Sequence, residues 1–226
     1  MNSKTAILIF ANSAHFEAKQ KPFRYSETLF ESLNTQTLKI VEQTGLPYFH
    51  YSEKNQIGTT FGRRFTNAIQ SIYDKGFETI ITIGNDTPHL KTEHINKAEK
   101  QLELNDIVLG PSNDGGFYLM GLKKSCFDMS SFLELPWQTS RLNSCINRLL
   151  TIQNIKFSYL EVLSDIDTFS DVKFIINSFK GLSRSIKQFL LVFLSIKKEI
   201  IKPLLLIIEI KIQTKLFNKG SPFKLA

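Results

Sequence analysis

The segment from Glu78 to Leu122 constrains the fold of this chain more than any other. It reads as a strand, a loop, a helix, a second strand, a loop and a third strand. The three strand-like runs are β-branched or apolar and lie at residues 79–83, 107–109 and 117–120, and a helix is predicted over residues 92–102. Such runs are typical of a parallel sheet that helices cover on both faces. The segment therefore predicts an α/β fold with three layers and a mainly parallel sheet.

Four aspartates follow strand-like runs in this pattern. Asp86 and Asp114 follow the first two runs, and Asp165 and Asp167 follow a later run at residues 157–160. Open α/β sheets bind ligands at the carboxyl ends of their strands, so we expect Asp86 and Asp114 just past the ends of neighbouring strands. Mg²⁺ prefers one or two protein carboxylates and takes its other ligands from water and phosphate oxygens. The spacing leaves open a second interpretation, in which Asp86 and Asp114 are turn residues that cap their loops.

A basic segment follows the first predicted strand, Ala6 to Phe10, and we read residues 11–25 as a loop. Its cationic residues are Lys19, Lys21 and Arg24. Loops after a first strand often hold phosphates through Lys, Arg and backbone N–H groups. A solvated basic loop is an equally good interpretation. Ser26 is the predicted N-cap of the next helix, over residues 26–43.

The only tryptophan, Trp137, lies in a loop before a helix predicted over residues 140–150. It is either a wall for a substrate or a packing anchor. A glycine-rich segment at residues 56–65 also precedes a helix, and such an entry can receive an anion. Neither Gly-Lys-Ser/Thr nor Gly-x-Gly-x-x-Gly occurs, so the specific nucleotide fingerprints are absent from the sequence.

Charge divides the chain into two parts. Residues 173–226 hold eleven Lys and Arg against two Glu, a net charge of +9, and the preceding residues sum to −2. A slightly acidic globular part does not indicate a nucleic-acid-binding protein, whereas the basic part indicates an interaction tail. We therefore predict a domain over residues 1–178 and a basic, amphipathic helical tail over residues 179–226. Two cysteines and an N-terminal apolar run too short for a secretory signal favour a cytoplasmic protein.

The predicted tail contains two strongly apolar runs, at residues 189–194 and 204–208. Each is far shorter than the ~20 residues of a membrane-spanning helix. A basic helix with bulky apolar residues can lie at a membrane interface, which would make the protein peripheral at the inner membrane surface. The same pattern also fits a helical layer packed on the domain or a homo-oligomer contact.

Four motifs resemble those of one bacterial protein family. Residues 83–90, IGNDTPHL, resemble its IGSDCPDL motif, and residues 108–122, VLGPSNDGGFYLMGL, resemble VLGPAEDGGYYLIGL. Residues 135–139, LPWQT, resemble IPWST, and residues 165–168, DIDT, resemble the start of DVDTPEDL. The family has the GT-A, nucleotide-diphospho-sugar transferase fold and is largely uncharacterised. It is described as glycosyltransferase-like, of the arsenosugar-biosynthesis type, and is related to phospholactate guanylyltransferases.

The resemblance implies a site for a nucleotide or nucleotide sugar and a small-molecule acceptor, with Mg²⁺ or Mn²⁺ as cofactor. It implies Asp86 and Asp165 as metal ligands and Asp114 and Asp167 as catalytic residues. The implied substrate- or nucleotide-binding residues are Lys19, Lys21, Arg24, Asn85, Gly115, Gly116, Trp137 and Thr139.

One part of the sequence departs from the family pattern. The family's first loop reads PxPGxVKTRL, whereas residues 12–24 here lack the glycine and the Lys-Thr-Arg order. Three functional hypotheses follow. The first is a divalent-metal-dependent transferase with a nucleotide-sugar donor. The second is a nucleotidyltransferase that joins a nucleoside triphosphate to a small phosphorylated acceptor, and the third is an inactive binding or scaffold member of the family.

Overall fold

A computed structural model describes residues 4–23, 25–177, 182, 186–188, 190 and 191. Helices and strands alternate along most of the chain. In order, they are β1 (Thr5–Phe10), α1 (Ala14–Gln20), α2 (Ser26–Glu42), β2 (Tyr48–Tyr51), α3 (Phe61–Tyr73), β3 (Thr79–Ile83), α4 (Thr92–Leu102), β4 (Ile107–Pro111), β5 (Phe117–Lys123), a 3₁₀ turn (Lys124–Cys126), α5 (Met129–Leu133), α6 (Leu142–Ile152), β6 (Phe157–Tyr159) and α7 (Phe169–Asn177).

The six strands form one sheet in the order β2-β1-β3-β5-β4-β6. β1 pairs in parallel with β2 and β3, and β4 pairs in parallel with β6. β5 is antiparallel to both of its neighbours. The predicted α/β fold with a mainly parallel sheet is therefore confirmed.

One detail of the predicted sheet is wrong, because β3 and β4 are not neighbours. β5 lies between them and pairs with both. The connection from β4 to β5 is only residues 112–116, and a connection of that length can join antiparallel strands but not parallel ones. Asp86 and Asp114 consequently follow strands that are separated by one intervening strand.

The core lies on both faces of the sheet, as the side-chain alternation of β1 shows. Ala6 and Leu8 point into a cluster with residues of α3, α5 and α6. Ile7 and Ile9 point into a second cluster with residues of α2 and α4. Because successive side chains of a strand face opposite sides, a strand buried on both faces requires helices above and below it. The three-layer arrangement follows directly.

Two local predictions near the first loop are wrong. Residues 14–20 form α1 instead of a loop, and Ser13 caps that helix by accepting a hydrogen bond from the Phe16 N–H at 3.3 Å. Ser26 is the first residue of α2 and not its N-cap. The N-cap is Tyr25, which has a left-handed φ of 61° and makes no side-chain capping bond.

Only a few residues of the predicted tail are described. Ile186 and Leu190 are buried in a third cluster, together with residues of α2 and α7. Most of the apolar run at 189–194 and all of the run at 204–208 lie outside the described residues, so the membrane and homo-oligomer predictions stay predictions. Within the ranges that the structure describes, no helix has the length and apolar character needed to cross a bilayer.

Candidate active site

A cleft of about 940 Å³ lies at the edge of the sheet where β1, β3 and β4 end. Its walls differ in chemistry. The carboxylate side consists of Lys21, Asp86, Asp165 and Asp167. The aromatic side consists of Phe10, Phe61, Phe65 and Trp137. Asp114 and Gly116 lie in the loop between β4 and β5 and also line the cleft.

Lys21 holds the carboxylate side together. Its Nζ lies 2.8 Å from Asp86 Oδ2 and 2.7 Å from Asp167 Oδ1, and it donates to the Ile166 carbonyl at 3.2 Å. The side chain of Lys21 is only 18% exposed. Burial alone would lower the pKa of Lys21, but the two carboxylates outweigh burial and raise it. Lys21 therefore stays protonated where it lies between Asp86 and Asp167.

Asp165 occupies a different position on the same side. Its Oδ1 accepts a hydrogen bond from the Thr87 hydroxyl. Burial, followed by the negative charge of Asp86, raises the pKa of Asp165 to about 7, against the effect of hydrogen bonds from Thr87 and Ser112. Asp165 is thus a carboxyl group that a nearby cation would ionise fully.

The loop between β4 and β5 is held by its own aspartate. Asp114 Oδ1 accepts hydrogen bonds from the Ser112 hydroxyl at 2.5 Å and from the Gly116 N–H at 2.9 Å. Gly115 has a φ of +93°, and a Cβ there would lie 2.6 Å from the Ser140 carbonyl oxygen. The close approach at Gly115 is therefore to the protein's own backbone. Asp114 therefore caps its own loop, as the turn-residue interpretation predicts. Its side chain is also exposed and lines the cleft.

Trp137 lies at the centre of the aromatic side. Its ring is 5.1 Å from the Phe65 ring and 5.7 Å from the Phe61 ring, measured between centroids. Its Nε1 donates to the Phe132 carbonyl at 2.7 Å. A Cβ at Gly62 would lie 2.6 Å from Trp137 Cδ1, so the first turn of α3 needs a glycine there. Trp137 is therefore a packing anchor that also forms a wall of the cleft.

Most of the residues singled out in the sequence line this one cleft. They are Lys21, Asn85, Asp86, Asp114, Gly116, Trp137, Thr139, Asp165 and Asp167. The Asn85 side chain is buried and donates to Asn34 Oδ1 at 2.6 Å, which ties the loop after β3 to α2. Lys19 is exposed on α1 and is not among the residues that line the cleft. Arg24 lies outside the described residues.

Several polar residues that line the cleft were not candidates from the sequence, among them Glu17, Glu53, Gln56 and Arg64. Gln56 Nε2 donates to Asn12 Oδ1 at 3.3 Å, and Arg64 Nε donates to Gln56 Oε1 at 3.3 Å. Gln56 and Arg64 belong to the glycine-rich segment at residues 56–65, whose pattern already indicated a possible anion site. Glu17 gave no signal, because it lies on the helix that was read as a loop.

No resident metal site is already formed in the described part of the chain: no three His, Cys, Asp or Glu residues there are grouped to hold an ion. Two carboxylates nevertheless converge on one cation, the Lys21 ammonium, and the Ile166 carbonyl adds a third oxygen. Oxygen ligands of this kind are those that Mg²⁺ and Mn²⁺ take. The residues present therefore fit a divalent cation, provided that Lys21 moves.

Comparison with known proteins agrees with this architecture. A family model described as "Uncharacterized protein conserved in bacteria (DUF2064)" matches residues 41–139, which include three of the four motifs. A crystal structure from Desulfovibrio desulfuricans G20, provisionally described as a nucleotide-diphospho-sugar transferase, has a TM-score of 0.73 at 21% identity. The match covers 84% of this chain and 94% of that one.

A second solved structure, Rv0371c from Mycobacterium tuberculosis H37Rv, has a TM-score of 0.52 at 12% identity, covering 78% of this chain and all of that one. No curated protein sequence matches the chain. The family match and the shared fold confirm the resemblance that the motifs indicated: this chain has the nucleotide-diphospho-sugar transferase fold and is similar to a bacterial family of uncharacterised function.

Proposed function

We propose that this protein is a divalent-metal-dependent, glycosyltransferase-like transferase that uses a nucleotide-sugar donor and a small-molecule acceptor. The observation that carries the proposal is the convergence of Asp86 and Asp167 on one cation at the carboxyl edge of the sheet. This edge is where open α/β sheets bind ligands, and the cleft volume of about 940 Å³ lies within the range of small-molecule sites.

The charge of the cleft supports the need for a metal. Its lining carries six carboxyl groups, from Glu17, Glu53, Asp86, Asp114, Asp165 and Asp167, against two cations, Lys21 and Arg64. An anionic diphosphate would be repelled by such a cleft unless a divalent cation entered with it. A bound Mg²⁺ or Mn²⁺ would neutralise the charge that develops on the diphosphate when its bond to the sugar breaks.

Each residue of the cleft would then have a separate task. Asp86 and Asp167 would hold the metal at the position that Lys21 occupies, and Asp165 would be a further contact for the metal or the substrate. Asp114, fixed by its own loop, would face the reacting groups of donor or acceptor. The aromatic side, which Trp137 anchors, offers apolar surface to a nucleobase, and Thr139 and Arg64 offer polar groups next to it.

Nucleotidyl transfer is a second candidate, because Lys21 and Arg64 place two separate cations in the cleft and a triphosphate carries more negative charge than a diphosphate. The products distinguish the two reactions. A glycosyltransferase releases a nucleoside diphosphate, whereas a nucleotidyltransferase releases pyrophosphate.

The test is a thermal-shift screen of nucleoside triphosphates and nucleotide sugars with and without Mn²⁺, since a ligand that binds only the native state raises the melting temperature. We expect at least one nucleotide sugar to stabilise the protein only when Mn²⁺ is present, and product analysis then identifies the reaction. Stabilisation by no nucleotide in either condition would contradict both reactions and favour an inactive scaffold.

A further inference from the structure

Three oxygen atoms surround the Lys21 ammonium, and they come from two distant segments. Asp86 follows β3, whereas Ile166 and Asp167 follow β6. This is a cation position made of two carboxylates and one carbonyl, and all three belong to the ligand types of Mg²⁺ and Mn²⁺. The positive charge at that position belongs to the protein itself.

Lys21 is suited to leave this position. It is the C-cap of α1, a helix of only seven residues, and it belongs to neither of the two segments that carry Asp86 and Asp167. A lysine ammonium is a compact charge on a flexible four-carbon stem, whereas an arginine would hold a carboxylate in a fixed two-pronged geometry. In its present position Nζ also lies 5.4 Å from the centroid of the Phe30 ring, a cation–π contact.

We propose that Lys21 is an internal counter-ion that competes with the metal, and that the metal binds at Asp86, Asp167 and the Ile166 carbonyl only when a phosphate-bearing ligand draws Lys21 away. This inference rests on the proposed function and adds an order to its binding steps. An ammonium and a divalent ion cannot share the same three oxygens.

A consequence is that metal and phosphate ligand bind cooperatively. The ligand gives Lys21 a new anionic partner, and the vacated oxygens accept the metal, which in turn neutralises the ligand. By thermodynamic linkage, each then raises the affinity of the other by the same factor. The site would bind neither free metal nor free phosphate ligand well.

The experiment measures Mn²⁺ binding alone, by the electron paramagnetic resonance signal of free Mn²⁺, in the full chain and in Lys21→Met, Lys21→Arg and Lys19→Met. We expect Lys21→Met to bind Mn²⁺ at least about tenfold more tightly than wild type, a coupling of ordinary size. Lys21→Arg retains the positive charge and should therefore bind Mn²⁺ no more tightly than wild type. Lys19→Met changes an exposed lysine on the same helix and should resemble wild type.

Melting temperature gives a second readout. Without metal, Lys21→Met should melt lower than wild type, because Asp86 and Asp167 lose their counter-ion, and Mn²⁺ should restore more of its stability than it adds to wild type. If Lys21→Met does not fold, Lys21→Gln retains a hydrogen-bond donor without the charge and is measured in its place.

Three results of the Mn²⁺ measurements would contradict the inference, each in a different way. Equal Mn²⁺ affinity in wild type and Lys21→Met, lost in both on Asp86→Asn, would overturn the competition and leave the proposed metal site intact. Tight binding that persists in the Lys21→Met, Asp86→Asn double variant would place Mn²⁺ elsewhere and overturn the inference. Absence of Mn²⁺ binding in every protein would overturn the metal site and, with it, the metal-dependent function.

Discussion

The two sides of the cleft are built by different forces. The aromatic side is continuous with the core, since Phe65 is buried and packs with α3 and α5 residues in the same cluster. The carboxylate side is held by charged hydrogen bonds between segments distant in sequence, in a partly solvated setting. Burial of apolar surface stabilises the aromatic side, and this stabilisation does not depend on a ligand. The charge balance of the carboxylate side, in contrast, changes when an ion or a phosphate binds.

Changes on the two sides should therefore have different readouts. A truncation on the aromatic side removes core contacts and is expressed as lost stability. A charge change at Asp86 or Asp167, which are partly exposed, should cost less stability than an aromatic truncation and should be expressed mainly as altered ligand binding.

The largest effect on stability is expected for Trp137→Ala. It removes ring contacts with Phe61, Phe65 and Phe132 and the hydrogen bond to the Phe132 carbonyl. The cost should be about 3 kcal/mol in the free energy of unfolding, measured by urea denaturation. Trp137→Phe should cost less, because it retains an aromatic ring. A loss below about 1 kcal/mol for the alanine variant would show that the aromatic side is not part of the core.

Gly115→Ala should come next. The left-handed φ of +93° and the Ser140 carbonyl oxygen, 2.6 Å from the position of a Cβ, both oppose a side chain. We expect a loss of about 2 kcal/mol in the free energy of unfolding. Gly45→Ala is the matched control, since Gly45 also has a left-handed φ, of +71°, but open space around its Cβ position. Equal losses in the two variants would leave no role for the Ser140 contact.

On the carboxylate side, Asp86→Asn should change binding and leave the fold in place. We expect the Mn²⁺-dependent stabilisation by a nucleotide sugar to disappear, while the metal-free free energy of unfolding changes by no more than about 1 kcal/mol. Asp74→Asn, at an exposed aspartate that ends α3, is the matched control and should retain the response. An unchanged response in Asp86→Asn would remove Asp86 from the metal site.

The smallest effect is expected for Glu17→Gln, and it depends on pH. Burial, together with the charges of Asp86 and Asp167, raises the pKa of Glu17 above its ordinary 4.5, although Lys21 and the Asn12 hydrogen bond act in the opposite direction. A raised folded-state pKa stabilises the protein at low pH, and that stability is lost as pH rises through the folded-state value. Glutamine cannot ionise and should still accept from Asn12.

The Glu17→Gln protein should therefore melt a few degrees above wild type near pH 7.5, and the difference should shrink as pH falls towards 4.5. Parallel melting curves at several pH values measure this. A difference that stays constant with pH would have to arise from packing and not from the charge of Glu17.

Periodicity predicted the regular elements well. The strand at residues 79–83 and the helix at residues 92–102 have the bounds that their apolar patterns indicated. The position of β5 between β3 and β4 was not predictable in the same way, because an apolar run does not encode the direction of its strand. The short link at residues 112–116 carried that information.

The candidate site was predictable in its residues and not in its pairings. Their positions after strand-like runs, and motif resemblance as well, indicated four aspartates, and all four line one cleft: Asp86, Asp114, Asp165 and Asp167. The basic segment showed that Lys21 was a candidate for a ligand contact, but it could not show that Lys21 pairs with Asp86 and Asp167 in the folded chain. Such pairings depend on tertiary distances, which the local sequence does not contain.

The contacts of Lys21 also have a kinetic meaning. Its bond to Asp86 joins positions 65 apart in the chain, and its bond to the Ile166 carbonyl joins positions 145 apart. Closing such long loops costs conformational entropy, and long-range contacts of this kind slow folding. Ligand binding at this cluster therefore requires that both ends of the domain are folded. A chain in which only β1 to β3 had formed would lack the segment at Ile166 and Asp167, and so would lack the cation position.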